Sequence, residues 1–248
     1  MPEWLQSGLT GLGAGAALLL GSLVAWWARI PSKIVAAIMA FGAGVLISAL
    51  AFELVDEAVN TGGLVATVWG FLVGAVVYVV LNLLLARHGA RHRKRSGEKQ
   101  AAAAGGTGGA IAIGALLDGI PESMVLGLGF LTGGGVSFTM LAAVFISNFP
   151  EGLSSTAGWK QAGRSKLYVF GVWGGIALIS GVAALAGYTL LDGASPGTLA
   201  FVNALAAGAI LAMITDTMIP EAFQEDAMYS GLLSTLGFLA ALSMHHLG

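Results

Sequence analysis

Runs of about twenty apolar residues recur along this chain, and they constrain its fold more than any other feature. They cover residues 5–28, 34–56, 63–86, 108–131, 136–158, 167–191, 197–222 and 228–247. A helix of about 20 residues crosses the hydrocarbon layer of a bilayer, which is about 30 Å thick. Only 10% of the 248 residues are charged, against roughly 25% in a soluble domain. The sequence therefore predicts an all-α membrane protein in which eight transmembrane helices form a single domain over residues 1–248.

The distribution of basic residues predicts the orientation of these helices. All 11 Lys and Arg lie in three alternate loops, which follow the first, third and fifth spans. Alternate loops share one side of the membrane, and the positive-inside rule makes that side cytoplasmic. We therefore expect both termini to lie outside, in a multi-pass protein of the bacterial inner (plasma) membrane.

The loop at residues 87–109 is the one long linker in the sequence. It begins with a basic run and continues as AAAAGGTGG, which is too polar and then too Gly-rich to form a packed helix. We expect a solvated cytoplasmic loop whose positive charge contacts anionic lipid. Its His88 and His92 have an i,i+4 spacing, so a metal-binding role for this loop stays open as the alternative.

Acidic side chains in the apolar spans give the strongest indication of function. An acid at the centre of an inserting helix costs about 2.5–3.5 kcal/mol, and the central parts of the spans hold no Lys, Arg or His to offset that cost. Such acids are either protonated or neutralised by a cation from solution, and a cluster on adjacent helices favours the cation. The acids within the spans are Glu53, Asp118, Glu122, Glu151, Asp216 and Glu221, and Asp56 and Glu57 lie where the second span ends.

The central acids fall in two short motifs on neighbouring spans. Asp118 and Glu122 are one helical turn apart, so they share a face of the fourth helix. Ser147 and Asn148 precede Glu151 by four and three residues and share a face of the fifth helix. Only four residues separate the two spans, so we expect an antiparallel hairpin with both motifs near its middle. Carboxylate, amide and hydroxyl oxygens are the ligands of hard divalent cations.

A proline precedes the glutamate in both motifs, at Pro121 and Pro150. Proline frees a backbone carbonyl one turn earlier, and loosened backbone deep in a membrane is tolerated where it lines a cavity. A third Pro-Glu pair ends the segment AGAILAMITDTMIPEA, which aligns without a gap to AGVLISALAFELVDEA at residues 43–58. The two segments run in opposite directions in the predicted topology. The sequence therefore predicts an inverted repeat of spans 1–3 and 6–8 around the central hairpin.

The motifs DGIPES in the fourth span and SNFPEG in the fifth resemble those of the ZIP (Zrt/Irt-like) metal transporters, in particular the short bacterial members. That family has a His-Asn-x-Pro-Glu-Gly pattern in both helices. The resemblance implies movement of Zn²⁺, Fe²⁺ or Mn²⁺ toward the cytoplasm through a site shared by the fourth and fifth helices. It also implies an elevator-like motion of one helix group against another, and a homodimer.

The chain departs from the family pattern at the positions of the two histidines. Asp118 stands at the first and Ser147 at the second, and Gly119 replaces the asparagine of the fourth helix. The sixth span also lacks the acid that similar proteins carry there. A site without imidazole is harder than a zinc site, which favours Mn²⁺, Fe²⁺ or Mg²⁺.

Four other side chains are open to a plainer interpretation. Met124 and Met218 lie close to acids and could supply thioether ligands, although most methionines in helices serve packing. His245 and His246 end the last helix, where we expect them to cap the helix rather than to capture metal.

Together these features predict a divalent metal cation transporter with alternating access and a midplane carboxylate site. The metal itself is the substrate, so no resident cofactor is expected, and the partners are divalent metal ions and membrane lipid rather than nucleic acid. A non-transporting membrane metal sensor, or a degenerate family member, is the alternative. The predicted ligands are Asp118, Glu122, Ser147, Asn148 and Glu151, with Glu53, Glu57, Asp216, Glu221, Met124, Met218, His88 and His92 as further candidates along the pathway.

An intramembrane enzyme is the third class of function, and the sequence argues against it. The chain has no cysteine nucleophile. The serines of the motifs have no histidine base in the central parts of the spans. Asp118 and Asp216 do not lie in the Gly-x-Gly-Asp context of an intramembrane aspartyl protease. We therefore expect no enzymatic activity.

Overall fold

The computed structural model describes residues 1–87, 108–132, 137–225 and 228–247, and no strand occurs within them. The helices of these residues form eight rods, in agreement with the eight predicted spans. Every predicted boundary lies within three residues of the observed one except the end of the second rod, which continues to Gly62. The rods are α1 (Glu3–Trp27), α2 (Ser32–Gly62), α3 (Leu64–Leu85), α4 (Gly108–Leu128), α5 (Phe138–Gln161), α6 (Lys166–Thr189), α7 (196–225) and α8 (Ser230–Leu247).

Five of the rods in the described residues are long and apolar enough to cross a membrane. They are α1, α2, α3, α6 and α7. Of the others, α4 and α5 carry the acidic and proline motifs, and α8 has 18 residues. The all-helical prediction is therefore confirmed, and the apolar helices have the length of membrane spans.

Local sequence signals set several of the helix ends. Ser137, Ser165 and Ser195 are the N-cap residues of α5, α6 and α7, and each hydroxyl accepts a hydrogen bond from the backbone N–H three residues on. Between α2 and α3, Gly63 has a φ of 84°. That left-handed conformation suits glycine and turns the chain within one residue.

Segments of π-helix interrupt α2 and α7. They cover Leu50–Val55 in α2 and Ile214–Met218 in α7. Each begins seven residues after the alanine that opens the aligned segments, at Ala43 and Ala207. A π segment adds a residue to the turn and often marks a functional position. The first one contains Glu53, and the second contains Asp216.

The rods pack as two groups of four. In one group α1 lies along α5 and α6, and α4 lies along α6. In the other group α2 lies along α8, α3 lies along α7, and α2 also contacts α7. The two groups meet where α5 contacts α2 and where α4 contacts α7, across an apolar core drawn from all four of these rods. The predicted α4–α5 hairpin is closed only locally, because these two rods touch over a short stretch.

Paired glycines allow α2 and α8 to approach closely. A Cβ added at Gly44 would overlap the carbonyl oxygen of Ser234 on α8. A Cβ added at Gly237 would overlap the carbonyl oxygen of Phe41 on α2. Small residues at such a crossing let two backbones meet directly in a membrane. The contact is reciprocal, since each helix contributes one glycine and one carbonyl.

The contact between α3 and α7 has the same form. Gly208 of α7 faces the carbonyl oxygen of Phe71, and Gly74 of α3 faces that of Leu205. Gly208 occupies the position of Gly44 in the gapless alignment of the two segments. Leu205 and Phe41 each lie two residues before the aligned segments begin, so they correspond to each other as well. The same reciprocal contact between a glycine and a backbone carbonyl therefore occurs at both crossings.

Two further reciprocal pairs hold the first group together. Between α1 and α5, Gly21 faces the carbonyl oxygen of Phe149 and Gly152 faces that of Leu18. Between α4 and α6, Gly127 faces the carbonyl oxygen of Ala184, and Gly187 faces that of Met124. All four crossings lie within the described residues, and two of them flank the acidic motifs of α4 and α5.

We expect Gly208→Ala to destabilise the protein by about 1–3 kcal/mol, because the added methyl group overlaps a backbone oxygen that cannot rotate away. Gly174→Ala is the matched control, since nothing lies within 4 Å of a Cβ there and alanine suits a helix interior better than glycine. The measurement is the free energy of unfolding of each purified variant in detergent. Equal stability of the two variants would contradict the close crossing.

Candidate metal centre

All five predicted ligands are buried. The exposed fraction is 3% for Asp118, 1% for Glu122, 6% for Ser147, 5% for Asn148 and 5% for Glu151. An ionised carboxylate removed from water is costly unless hydrogen bonds or a counter-ion compensate. The partners of these side chains therefore decide what the site can bind.

Glu122 and Ser147 join the two motifs. The Ser147 hydroxyl lies 3.3 Å from Glu122 Oε1 and 2.9 Å from the carbonyl oxygen of Val144. This contact brings the middle of α4 to the middle of α5, as their positions along the two spans predict. It also places the hydroxyl of α5 beside a carboxylate of α4, and both groups offer oxygen atoms of the kind that hard cations bind.

Asp118 is held by a residue that the sequence reasoning missed. The hydroxyl of Tyr78, which is 1% exposed on α3, donates to Asp118 Oδ1 at 2.7 Å. A hydrogen bond to a carboxylate is short and strong, so it fixes the orientation of this side chain. The available signal was a single tyrosine within the aliphatic third span. Nothing local to that span indicated which acid the phenol would reach.

Asn148 is anchored to α1. Its Nδ2 donates to the carbonyl oxygen of Ala14 at 3.1 Å. Since the donor half of the amide is engaged, only its carbonyl oxygen can serve as a metal ligand, which is also how amides bind metal ions. The helix α1 therefore fixes a predicted ligand although it contributes none of its own.

The acids do not form one tight cluster. Within the described residues, no group of three or more His, Asp or Glu side chains stands close enough to hold one metal ion. The two motifs thus approach each other through Glu122 and Ser147. An ion bound here would combine carboxylate oxygens with amide and hydroxyl oxygens.

The residues predicted along the pathway lie in different environments. Asp216 is exposed, and its Oδ2 lies 3.4 Å from Asn82 Nδ2. Glu221 is 5% exposed. Met218 is 1% exposed in the apolar core, in agreement with a packing role, and Met124 is half-buried.

The histidines divide into three cases. His88 and His92 lie outside the described residues. The ring Nδ1 of His246 lies 3.1 Å from the carbonyl oxygen of Leu242, as expected of a residue that caps its own helix. His245 instead reaches α2, where its Nδ1 lies 3.6 Å from Glu53 Oε1.

Glu53 and Glu57 line a small cavity together with Asn203 of α7. This cavity lies beside α4 and α5, toward the end of the bundle where α2 and α4 finish and α5 begins. Asn203 was not among the predicted residues, because the sequence gives no sign that α7 approaches Glu57.

Comparison with known proteins adds no further assignment. No family model matches the chain, and no curated protein matches it.

We expect Tyr78 and Asp118 to be energetically coupled. In a double-mutant cycle with Tyr78→Phe and Asp118→Asn, the coupling in unfolding free energy should reach at least about 0.6 kcal/mol, the average for hydrogen bonds between membrane helices. Tyr188→Phe with Glu3→Gln is the control, because that hydroxyl–carboxylate pair is exposed and should show almost no coupling. Strictly additive losses at Tyr78 and Asp118 would contradict the described contact.

Proposed function

We propose that this protein is a divalent metal cation transporter, which moves ions of the Zn²⁺, Fe²⁺ or Mn²⁺ type across a membrane toward the cytoplasm. The observation that carries the proposal is the contact between the buried motifs of α4 and α5 at Glu122 and Ser147. Buried acids in helices of membrane-spanning length are costly and are usually functional. The motif resemblance to ZIP transporters supports membership of that family.

Glu122 and Glu151 are the principal ligands in this proposal, and Asp118, Ser147 and Asn148 supply further oxygens. Such a set is hard and carries little charge when compared with a histidine-rich zinc site. Mn²⁺, Fe²⁺ and Mg²⁺ are therefore substrates to test beside Zn²⁺. The ion is cargo, and no resident cofactor is needed.

An inverted repeat of helices 1–3 and 6–8 is part of the proposal. It is supported by the two reciprocal crossings, α2 with α8 and α3 with α7, in which Gly44 and Gly208 occupy aligned positions. The π segments of α2 and α7, which begin at aligned residues, support it as well. Inverted repeats commonly place a transport site near the midplane and exchange two related packings during alternating access.

We also propose the bacterial inner membrane as the location, with both termini outside. The support comes from the ends of α1, α5 and α6, where Lys160 Nζ donates to the carbonyl oxygen of Trp26 at 2.6 Å. Lys166 Nζ lies 5.4 Å from the ring centre of Trp27. Basic residues combined with tryptophans are typical of the cytoplasmic membrane interface.

A non-transporting metal sensor is the second candidate, and the absence of histidine from both motifs favours it. The sensor would bind metal tightly without moving it. Calorimetry on the purified protein, combined with a flux assay on the same preparation, separates the two functions.

We expect reconstituted protein to carry divalent metal into liposomes, and Glu122→Ala and Glu151→Ala to abolish this uptake because each removes a principal ligand. Asp118→Ala should reduce uptake without abolishing it. The measurement is metal entry reported by an enclosed dye, over a panel of Zn²⁺, Mn²⁺, Fe²⁺, Co²⁺, Cd²⁺ and Mg²⁺.

Asp56→Asn is the matched control for these variants, because Asp56 is exposed, is paired with Asn60 and is not a predicted ligand, so uptake should stay near the original rate. Failure of the panel to exceed empty liposomes would exclude transport. Original rates in both glutamate variants would place the site elsewhere in the chain.

We expect uptake to fall as the pH on the binding side is lowered. Protons and metal ions compete for the same carboxylate oxygens, and only the deprotonated form binds the ion. The measurement is the initial rate at several pH values, with the membrane potential held constant. Uptake that stays constant while the carboxylates are titrated would argue against carboxylate ligation.

A further inference from the structure

A cavity of about 30 Å³ lies between α2 and α7, and it is separate from the Glu122–Ser147 contact. Its polar lining consists of Glu53 and Glu57 of α2, Ser137 of α5 and Asn203 of α7, and the rest is apolar or backbone. We call it the α2–α7 cavity. A cavity needs at least about 10–15 Å³ to hold one water, so this space has room for a small ion together with water.

Asn203 has a fixed orientation in this cavity. It is 2% exposed, and its Nδ2 donates to the carbonyl oxygen of Leu54 at 3.2 Å and faces Glu57 Oε2 at 3.5 Å. A flipped amide would set its oxygen against these two acceptors, so the assignment of oxygen and nitrogen is secure on physical grounds. The Leu54 carbonyl belongs to the π segment of α2, which presents it to α7.

The amide oxygen of Asn203 is the unexplained atom. It is buried, and it has no hydrogen-bond partner in the described part of the chain. A buried acceptor is normally satisfied by a donor, a water or a cation. Because this oxygen belongs to a residue that lines the same cavity as two carboxylates, the missing partner is expected there.

Both carboxylates are held in place by neighbouring polar side chains, and those of Glu57 are Asn203 and Thr132. Glu53 accepts a hydrogen bond from the Ser137 hydroxyl, and its other oxygen lies 3.6 Å from His245 Nδ1. The Ser137 hydroxyl also accepts from the backbone N–H of Met140, so it is fully engaged in positioning Glu53. No Lys or Arg is among the residues that line the cavity. The negative charge of Glu53 and Glu57 therefore has no basic side chain inside this space.

We propose that the α2–α7 cavity is a second cation site, which binds one hard divalent ion through the carboxylates of Glu53 and Glu57 and the amide oxygen of Asn203. Two carboxylates and a neutral oxygen suit Mn²⁺, while water completes its coordination. The set contains only two acids, which agrees with the lack of any group of three in the described residues. This site does not depend on the transport proposed above.

The test measures Mn²⁺ binding to the full-length protein in detergent by the loss of the spectrum of free Mn²⁺ in electron paramagnetic resonance. The background carries Glu122→Gln and Glu151→Gln, so that the α4–α5 motifs cannot bind. We expect one Mn²⁺ per chain in this background. Adding Glu57→Gln or Asn203→Leu should weaken that binding by at least about tenfold, since even indirect partners of metal ligands have effects of this size.

Asp56→Asn is the matched control, because Asp56 is adjacent on α2 but exposed and paired with Asn60. Its addition should leave Mn²⁺ binding unchanged. Asn203→Asp distinguishes the loss of a metal ligand from a loss of folding. A third carboxylate should tighten Mn²⁺ binding and increase the rise in melting temperature that Mn²⁺ causes. A purely structural amide would predict neither effect.

Two results would overturn this site. One is a background protein that elutes as a folded species and binds no Mn²⁺, in which case the cavity holds water only. The other is binding that survives Glu57→Gln and Asn203→Leu unchanged. Neither result depends on the flux assay, so failure of the site and failure of transport are distinguishable.

Discussion

The packing of this protein depends on how it accommodates acidic side chains that are buried without a basic residue nearby in their own spans. Asp118 accepts a hydrogen bond from the Tyr78 hydroxyl of α3, and Glu122 accepts one from the Ser147 hydroxyl of α5. Leaving an ionised carboxylate buried alone costs several kcal/mol, so these donors fix the neighbours of α4. The helix must lie within reach of both α3 and α5. The proposed function uses the same carboxylates, which would bind a cation from solution.

Close approach at paired glycines accompanies another hydrogen bond of these motifs. The crossing of α1 and α5 at Gly21 and Gly152 lies next to the motif that contains Asn148, whose amide reaches the backbone of α1 at Ala14. In hydrocarbon there is little hydrophobic drive for helices to associate, so packing at small residues and hydrogen bonds must supply it. Both are concentrated here around the same motifs. The polar centre therefore contributes to holding the first group of helices together.

Much of the fold could be predicted from the sequence, because the thickness of the membrane sets the length of the apolar runs and these runs can be read along the chain. The meeting of Glu122 and Ser147 could also be predicted, since both motifs lie halfway along neighbouring spans. Tyr78 and Asn203 could not, because their partners lie on helices that are distant in sequence and whose order in the bundle no local pattern encodes. The π segments of α2 and α7 could not be predicted from the sequence either. An added residue in the turn rotates the helix face that follows, and Asp216, which lies within such a segment, is exposed rather than buried.

The two proposed cation sites are connected through α4. Leu126 lines the α2–α7 cavity, and Glu122 precedes it by four residues on the same helix. Four residues of helix rise about 6 Å, so the cavity and the α4–α5 contact are little more than one turn apart. The cavity also reaches Gly129 and Ser137, at the end of the bundle where the proposed topology places the outer surface. A cation that enters there meets the cavity before it meets Glu122. Both proposed sites combine carboxylates with neutral oxygens, and a route of successive weak sites releases an ion more readily than one tight site, which is the condition that transport imposes on its binding sites.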